Sequence, residues 1–250
     1  MNKTVFITGA TSGIGQACAE KFAQNNFNII ITGRREALLK KAKVEIEDKF
    51  AVNVKTLCFD VQNKEAVFNA IAELDENLSV DILINNAGLA LGRDAFDEAD
   101  ITDWETMMNT NVNGLLYVSR ALLPFIKKSK GHIINLGSVA GKEVYENGNV
   151  YCASKYAVDA ISQAMRIDLL KHNIKVTSIN PGAVETEFSI VRFKGDEKKA
   201  EAAYKNYIPL TANDIADTIF YCANLPSHVC INDLTITCLQ QANTYLFNKA

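Results

Sequence analysis

Short runs of β-branched and other apolar residues alternate along the chain with longer segments in which apolar residues return every three or four positions. The short runs are typical of buried parallel strands and cover residues 4–8, 28–32, 54–59, 81–85, 132–136, 175–180 and 234–238. The segments with helical periodicity cover residues 14–24, 36–49, 64–74, 104–127, 150–172 and 213–225. Strands that alternate with helices predict an α/β fold of the Rossmann type, a doubly wound parallel sheet with helices on both faces.

The length of the chain favours a single domain over residues 1–250. Of its 250 residues, 48% are hydrophobic, which suffices for the core of one large α/β domain. With only 13 Gly and 4 Pro, and no like-charge tract between its halves, the sequence has neither a linker nor a repeat. The charged segment 192–205 interrupts the strand and helix pattern, and it is either a solvated helix or a lid over a site.

Composition narrows the kind of ligand. The net charge is −3 and the 26 basic residues are scattered, so the sequence predicts neither a nucleic-acid groove nor a surface for anionic membranes, and favours a small molecule. Without a cleavable signal or a long apolar span at its N-terminus, the chain is expected to be cytoplasmic. The six cysteines form no C-x-x-C pair, and the histidines lie far apart, so we expect no metal site.

A glycine-rich turn follows the first predicted strand and opens the first predicted helix. Glycines there permit a tight turn and let backbone N–H groups approach a pyrophosphate at the helix N-terminus. This position at the start of a strand–helix–strand unit is typical of a dinucleotide site. The predicted contacts in the turn are Gly9, Thr11, Ser12, Gly13, Ile14 and Gly15.

The end of the second strand indicates which dinucleotide fits. An acid there would accept hydrogen bonds from a free ribose hydroxyl, whereas an arginine would pair with a phosphate. The sequence has Arg34 and Arg35 at this point and no acid, so it predicts NADP as the cofactor. Asp60 and Val61 end the third strand, where they are predicted to contact the adenine.

Tyr151 and Lys155 lie four residues apart in a helical segment and therefore share one face of it. A phenol with a pKa of about 10 is a poor base near neutrality, but a neighbouring ammonium lowers that pKa. We expect Tyr151 to exchange the proton of a substrate hydroxyl, while Ser138, just after the fifth strand, hydrogen-bonds the same oxygen.

In combination, these residues resemble the short-chain dehydrogenase/reductase family. The matching motifs run in order from the glycine turn through Asn85-Asn86-Ala87-Gly88 and Asn111 to Ser138, Tyr151 and Lys155, and cover essentially the whole chain. The resemblance implies a seven-stranded parallel sheet and an oxidoreductase that interconverts an alcohol and its carbonyl.

The resemblance also implies a role for each matching residue. Tyr151 would be the acid/base, Lys155 would tune its pKa and contact the nicotinamide ribose, and Asn111 would anchor a proton-relay water. The cofactor would further contact Asn86, Ala87, Gly88, Pro181, Gly182, Val184 and Thr186.

A narrower resemblance is to the 3-hydroxy acid dehydrogenases that act on serine and L-allo-threonine. It rests on Gly88 to Gly92 and on residues 103–107, 148–151 and 186–196, of which Arg192 to Asp196 are the most distinctive. It implies oxidation of the 3-hydroxyl of L-serine, L-allo-threonine, 3-hydroxypropanoate or 3-hydroxybutyrate, or the reverse reduction. Arg192 offers a planar, bidentate partner for the substrate carboxylate; the alternative is an ordinary surface arginine.

The family motifs leave the substrate open, so reduction of a 3-oxoacyl thioester or a diketone is the second hypothesis. A third is a protein that senses NADP without catalysis, which the intact Tyr151 and Lys155 disfavour. The family resemblance further implies a homotetramer built through residues 104–127 and 150–172 and the last strand, although the apolar residues of those helices also fit an ordinary core.

Overall fold

A computed structural model describes residues 2–249. Its centre is one sheet of seven strands in the order β3-β2-β1-β4-β5-β6-β7, and every neighbouring pair is parallel. The strands are β1 (Thr4–Ile7), β2 (Asn28–Gly33), β3 (Val54–Cys58), β4 (Ile82–Asn85), β5 (His132–Leu136), β6 (Lys175–Pro181) and β7 (Asp233–Ile236). The predicted seven-stranded Rossmann-type sheet is confirmed. Because strand order reverses between β1 and β4, a crevice opens at the carboxyl ends of these two strands.

Helices cover both faces of the sheet. Their bounds are α1 (Gly13–Gln24), α2 (Glu36–Lys49), α3 (Lys64–Ala72), α4 (Ile101–Met108), α5 (Leu115–Ser129), α6 (Asn149–Asp168), α7 (Phe188–Arg192), α8 (Glu197–Ala202) and α9 (Ala212–Ala223). One apolar core packs α1, α2 and α9 against the sheet, and includes Phe22, Ile31 and Ile219. A second core packs α3 and α5 against the other face, and includes Phe6 and Leu122. The strands are therefore buried on both sides, as their continuous apolar runs require.

The predicted helix over residues 104–127 is interrupted. Helices α4 and α5 join through a π-helical turn, Asn109–Gly114, which adds a residue to the helical repeat. Gly114 lies so close to Val61 that a Cβ there would stand 2.7 Å from a Val61 methyl carbon. The turn faces the crevice because it packs against the residues that follow β3.

The charged segment 192–205 contains short helices rather than one solvated helix. Helix α7 ends at Arg192, and α8 begins after Asp196, whose side chain accepts a hydrogen bond from the backbone N–H of Lys199. A backbone hydrogen bond crosses the crevice at Gly92, whose N–H donates to the carbonyl oxygen of Arg192 over 2.9 Å. Helix α7 therefore bridges the loop after β6 and the loop after β4.

Candidate active site

A cavity of about 890 Å³ opens at the carboxyl ends of β1 and β4, at the switch in strand order. It holds nearly all of the residues that the sequence predicts for the site. Those that line it are Gly9, Thr11, Ser12, Gly13, Ile14, Arg34, Arg35, Asp60, Val61, Asn86, Ala87, Gly88, Ser138, Tyr151, Lys155, Pro181, Gly182, Val184, Thr186 and Arg192. Gly15 and Asn111 do not line the cavity, but each contacts residues of the surrounding turns or helices. Gly15 packs against Gly9, and Asn111 hydrogen-bonds Leu89 and Ser154.

The glycine-rich turn depends on close backbone packing. Gly9 has a φ of +65°, in the left-handed region that favours glycine. Gly15 lies against the carbonyl group of Gly9, where a Cβ would collide with the carbonyl oxygen. Helix α1 can therefore begin directly at the turn, and its first N–H groups point into the cavity, where an anion would be stabilised.

Asn86 fastens the glycine turn to the end of β4. Its side-chain amide donates to the carbonyl oxygens of Thr8, over 2.9 Å, and Gly9, over 3.1 Å. The hydroxyl of Thr8 in turn accepts from the backbone N–H groups of Asn86 and Ala87. The amide donors of Asn86 thus hold the turn, so its contact with a ribose remains a prediction.

Both arginines at the end of β2 face the cavity. The guanidinium of Arg35 donates to the hydroxyl oxygens of Thr11, over 2.8 Å, and Ser12, over 3.0 Å, and it pairs with the carboxylate of Glu187. The guanidinium of Arg34 lies 3.5 Å from the carboxylate of Asp60. One cation and two hydroxyls therefore meet at the turn, and Arg34 lines the same cavity, an arrangement suited to a phosphate monoester.

Tyr151, Ser138 and Lys155 meet at the opposite end of the cavity. Tyr151 and Lys155 project from the first turns of α6, and Ser138 caps a short 3₁₀ turn after β5. Burial, and secondarily the nearby Tyr145, raise the pKa of Tyr151 and outweigh the opposing effect of Ser138, so the phenol is protonated at neutral pH. A neutral phenol beside a hydroxyl is suited to donate a proton to a carbonyl oxygen.

Lys155 is buried and makes a specific backbone contact. Its ammonium donates to the carbonyl oxygen of Leu136 over 2.9 Å and lies 6.0 Å from the centre of the Tyr151 ring. Burial lowers the pKa of Lys155 to about 8. Desolvation of the phenol dominates the pKa of Tyr151, so the lowering of that pKa by Lys155 stays a prediction.

The side chain of Asn111 acts as a clamp behind the cavity. Its amide oxygen accepts from the N–H of Leu89, and its amide nitrogen donates to the carbonyl oxygen of Leu89 and the hydroxyl of Ser154. The π-helical turn aims this side chain inward, between the loop after β4 and α6. Three hydrogen bonds fix it, and its predicted relay function has no direct counterpart in these contacts.

Sequence reasoning missed Gln241, which lies in the C-terminal tail and is 5% exposed. Its side-chain oxygen accepts from the N–H of Ala183 over 2.8 Å, and its nitrogen donates to the carbonyl oxygen of Asn243. A Cβ on Gly182 would collide with this side chain, so the glycine lets the tail reach the loop after β6.

It also missed Tyr145, which lies beside the predicted substrate arginine. The guanidinium of Arg192 donates to the Tyr145 hydroxyl over 2.7 Å and stands 5.4 Å from the centre of the Tyr151 ring. A second contact, from Arg192 Nε to the carbonyl oxygen of Gly92, is longer at 3.4 Å. The structure thus brings Arg192 to Tyr151, although 41 positions separate them in the sequence.

Metal-binding clusters and membrane-spanning helices were the two remaining features to consider in residues 2–249. Among these residues no three His, Cys, Asp or Glu side chains gather where they would hold a metal ion. Within the same range, no helix is both long and apolar enough to cross a membrane.

Comparison with known proteins places this cavity in a family. The family profile described as short chain dehydrogenase matches residues 3–197. The chain is 44% identical to the NADP-dependent 3-hydroxy acid dehydrogenase YdfG of Escherichia coli strain K12, over 95% of this chain and 96% of that protein. It is 43% identical to sulfoacetaldehyde reductase 2 of Chromohalobacter salexigens, over 97% and 96%.

A solved structure is similar over its whole length. The closed form of serine dehydrogenase complexed with NADP+ superposes with a TM-score of 0.92 at 42% identity, and the match covers 99% of each chain. The sequence match, the shared sheet and the meeting of Ser138, Tyr151 and Lys155 in one cavity agree with one another. The chain belongs to the short-chain dehydrogenase family.

Proposed function

We propose that this protein is an NADP-dependent oxidoreductase of small 3-hydroxy acids. It would oxidise the 3-hydroxyl of L-serine, L-allo-threonine, 3-hydroxypropanoate or 3-hydroxybutyrate, or reduce the matching semialdehyde or 3-oxo acid. The observation that carries this proposal is the position of Arg192, 5.4 Å from the ring of Tyr151. A carboxylate held by Arg192 would keep a hydroxyl two carbons away within reach of the phenol.

The residues of the cavity fit NADP. The glycine turn and the start of α1 suit the pyrophosphate, and Arg34 and Arg35 suit the 2′-phosphate. When bound, NADP would supply the hydride acceptor or donor. Asp60 and Val61 would lie at the adenine, and the loop Pro181, Gly182, Val184 and Thr186 at the nicotinamide.

The side chains of the protein would transfer the hydroxyl proton of the substrate. In oxidation, the substrate hydroxyl would give its proton to Tyr151 while the carbon loses its hydride; in reduction, Tyr151 would return that proton to the new alkoxide. Ser138 would hold the reacting oxygen, because its hydroxyl lies on the same side of the cavity as the phenol. Lys155 would contact the ribose and favour the phenolate electrostatically.

A second candidate substrate is a small sulfonate, the class named for one 43% identical relative. Arg192 favours both candidates over a 3-oxoacyl thioester or a diketone, whose reacting ends carry no negative charge for it to bind. Binding of NADP without catalysis is disfavoured because Tyr151 and Lys155 both line the cavity. The homotetramer stays a prediction of the family resemblance, and the cytoplasmic location stays a prediction from the N-terminal sequence.

Replacement of one oxygen atom tests the proposed mechanism. Tyr151→Phe removes the phenolic proton and is expected to lower kcat for 3-hydroxypropanoate by about 10³-fold or more while the Kd of NADP changes less than about threefold. Tyr221→Phe is the matched control, because Tyr221 is 60% exposed on α9. Wild-type turnover by the Tyr151 variant would show that another group transfers the proton.

A further inference from the structure

A second arginine, Arg93, lies at the substrate end of the cavity, and the proposed reaction does not require it. It follows Gly92 in the loop after β4 and lines the same cavity as Tyr145, Tyr151 and Arg192. Its guanidinium carbon lies 5.6 Å from the centre of the Tyr145 ring, and that of Arg192 lies 5.5 Å from the same centre. One aromatic ring therefore positions two guanidinium groups.

Within the described part of the chain, neither of these cations forms a salt bridge. Within residues 2–249, no carboxylate lies within 4.0 Å of the guanidinium nitrogens of Arg93 or Arg192. The half-buried acid Asp103, which lies near Gly92, pairs instead with Lys194 over 2.8 Å. An anion that contacts both guanidinium groups would be stabilised by both positive charges.

The contacts of Arg192 limit what it can bind alone. Its Nε is directed to the carbonyl oxygen of Gly92 and one donor of its Nη2 to the Tyr145 hydroxyl. The donors that remain on Nη1 and Nη2 form one flat fork, which matches the two oxygens of a planar carboxylate. A tetrahedral anion such as a sulfonate carries a third oxygen outside that plane, and this oxygen needs another donor.

We propose that Arg93 is a specificity-determining residue that binds the third oxygen of a tetrahedral oxyanion, so that the cavity accepts sulfonates in addition to carboxylates. This inference rests on the proposed function, because it assigns to Arg192 the anionic end of the substrate. Arg93 adds little for a carboxylate, whose two oxygens the fork of Arg192 already satisfies. For a sulfonate on the same two-carbon chain, both arginines contribute.

Two substrates of equal length test the separate roles of Arg93 and Arg192 in binding the anionic group. 3-Hydroxypropanoate and 2-hydroxyethanesulfonate both place a primary hydroxyl two carbons from the anionic group. Arg93→Gln is expected to lower kcat/KM for the sulfonate about tenfold or more and for the carboxylate less than about threefold. Arg192→Gln should lower both values, and Arg120→Gln, an exposed arginine on α5, should change neither.

Propanoate and ethanesulfonate lack the hydroxyl and can act only as inhibitors. Their inhibition constants, measured with 3-hydroxypropanoate as substrate, compare the binding of the two anions without turnover of a sulfonate. Weaker inhibition by ethanesulfonate alone in the Arg93→Gln protein supports the proposal. Equal effects on both anions, no effect on either, or a wild-type protein that binds only carboxylates would overturn it while leaving the proposed function intact. A wild-type protein that oxidises uncharged alcohols as well as both anions would instead remove the proposed function itself.

Discussion

The carboxylate of Glu187 lies 3.2 Å from the guanidinium of Arg35, although 152 positions separate the two residues in the sequence. Arg35 lies at the glycine-rich turn, and Glu187 directly precedes α7, which carries Arg192. The ion pair thus joins the predicted 2′-phosphate site to the helix of the predicted substrate arginine. Because a carboxylate and a phosphate seek the same donors, Glu187 competes with the cofactor for Arg35.

Removal of this competing charge should strengthen NADP binding. We expect Glu187→Gln to lower the Kd of NADP about threefold, the size typical of an exposed ion pair, and to leave the Kd of NAD unchanged. Calorimetric titration without substrate measures both constants. Glu185→Gln, two positions earlier and exposed, is the control. Weaker NADP binding by the Glu187 variant would mean that this carboxylate supports the cofactor.

The protonation of Tyr151 predicts opposite pH dependences for the two directions. Burial raises the pKa of the phenol, so the phenolate that oxidation requires becomes more abundant as pH rises. We expect kcat/KM for oxidation of 3-hydroxypropanoate to rise by up to about tenfold per pH unit from neutrality, and kcat/KM for reduction not to rise. A flat oxidation profile between about pH 6 and about pH 9 contradicts this assignment.

The buried ammonium of Lys155, which the proposed reaction requires, should lower the free energy of unfolding. Its pKa is about 8 in the folded protein against 10.5 for an ordinary lysine, so the unfolded chain holds more protons between these values. The cost is fully present below about pH 8 and disappears as pH rises toward 10.5. We therefore expect Lys155→Met to raise the free energy of unfolding by about 2 kcal/mol at neutral pH, after the loss of the bond to Leu136.

Denaturant unfolding of the Lys155→Met and wild-type proteins at several pH values measures this difference. The advantage of the variant should shrink as pH rises above about 8, while its turnover is lost at every pH. Lys171→Met, at an exposed position, controls for the change of residue type. A variant that is less stable than the wild type at neutral pH would show that the Lys155 ammonium is well compensated in the fold.

Gln241 should act on the loop after β6 rather than on stability alone. Gln241→Leu removes the acceptor for the N–H of Ala183, and we expect the KM for NADP to rise about tenfold. Gln240→Leu is a matched control, because Gln240 also makes two hydrogen bonds, to Ile208 and Asn248, on the exposed side of the tail. Similar changes in melting temperature with different changes in KM support a positioning role for Gln241. Equal KM values in both variants contradict it.

Local sequence pattern accounts for much of this architecture. Apolar runs of strand length and the turn at Gly9 depend on neighbouring residues, so periodicity and the order of motifs predicted the sheet and the position of the glycine turn. The pair Tyr151 and Lys155 was equally accessible, because a spacing of four residues on a helix fixes a shared face. The interruption of α4 and α5 was not, since the apolar period continues through Asn109–Gly114.

The missed contacts depend on tertiary packing between distant segments. Arg192 meets Tyr145 across 47 positions, and Gln241 reaches Ala183 across 58. Neither pairing has a local signature, because each arises where the loops after β4, β5 and β6 and the tail converge at one edge of the sheet. The burial of Tyr151 could not be predicted for the same reason: the sequence names the neighbouring lysine but does not show how deeply the phenol is buried.

Initial rates of dinucleotide reduction would show whether the protein oxidises anionic hydroxy acids with NADP as its cofactor. The panel comprises L-serine, L-allo-threonine, 3-hydroxypropanoate, 3-hydroxybutyrate and the uncharged 3-hydroxypropanamide, each with NADP and with NAD. We expect kcat/KM for the acids with NADP to be at least about tenfold higher than their kcat/KM with NAD. It should also be at least about tenfold higher than kcat/KM for the amide with NADP. Equal rates for the amide and 3-hydroxypropanoate would contradict the assignment of Arg192, and equal rates with NAD would contradict those of Arg34 and Arg35.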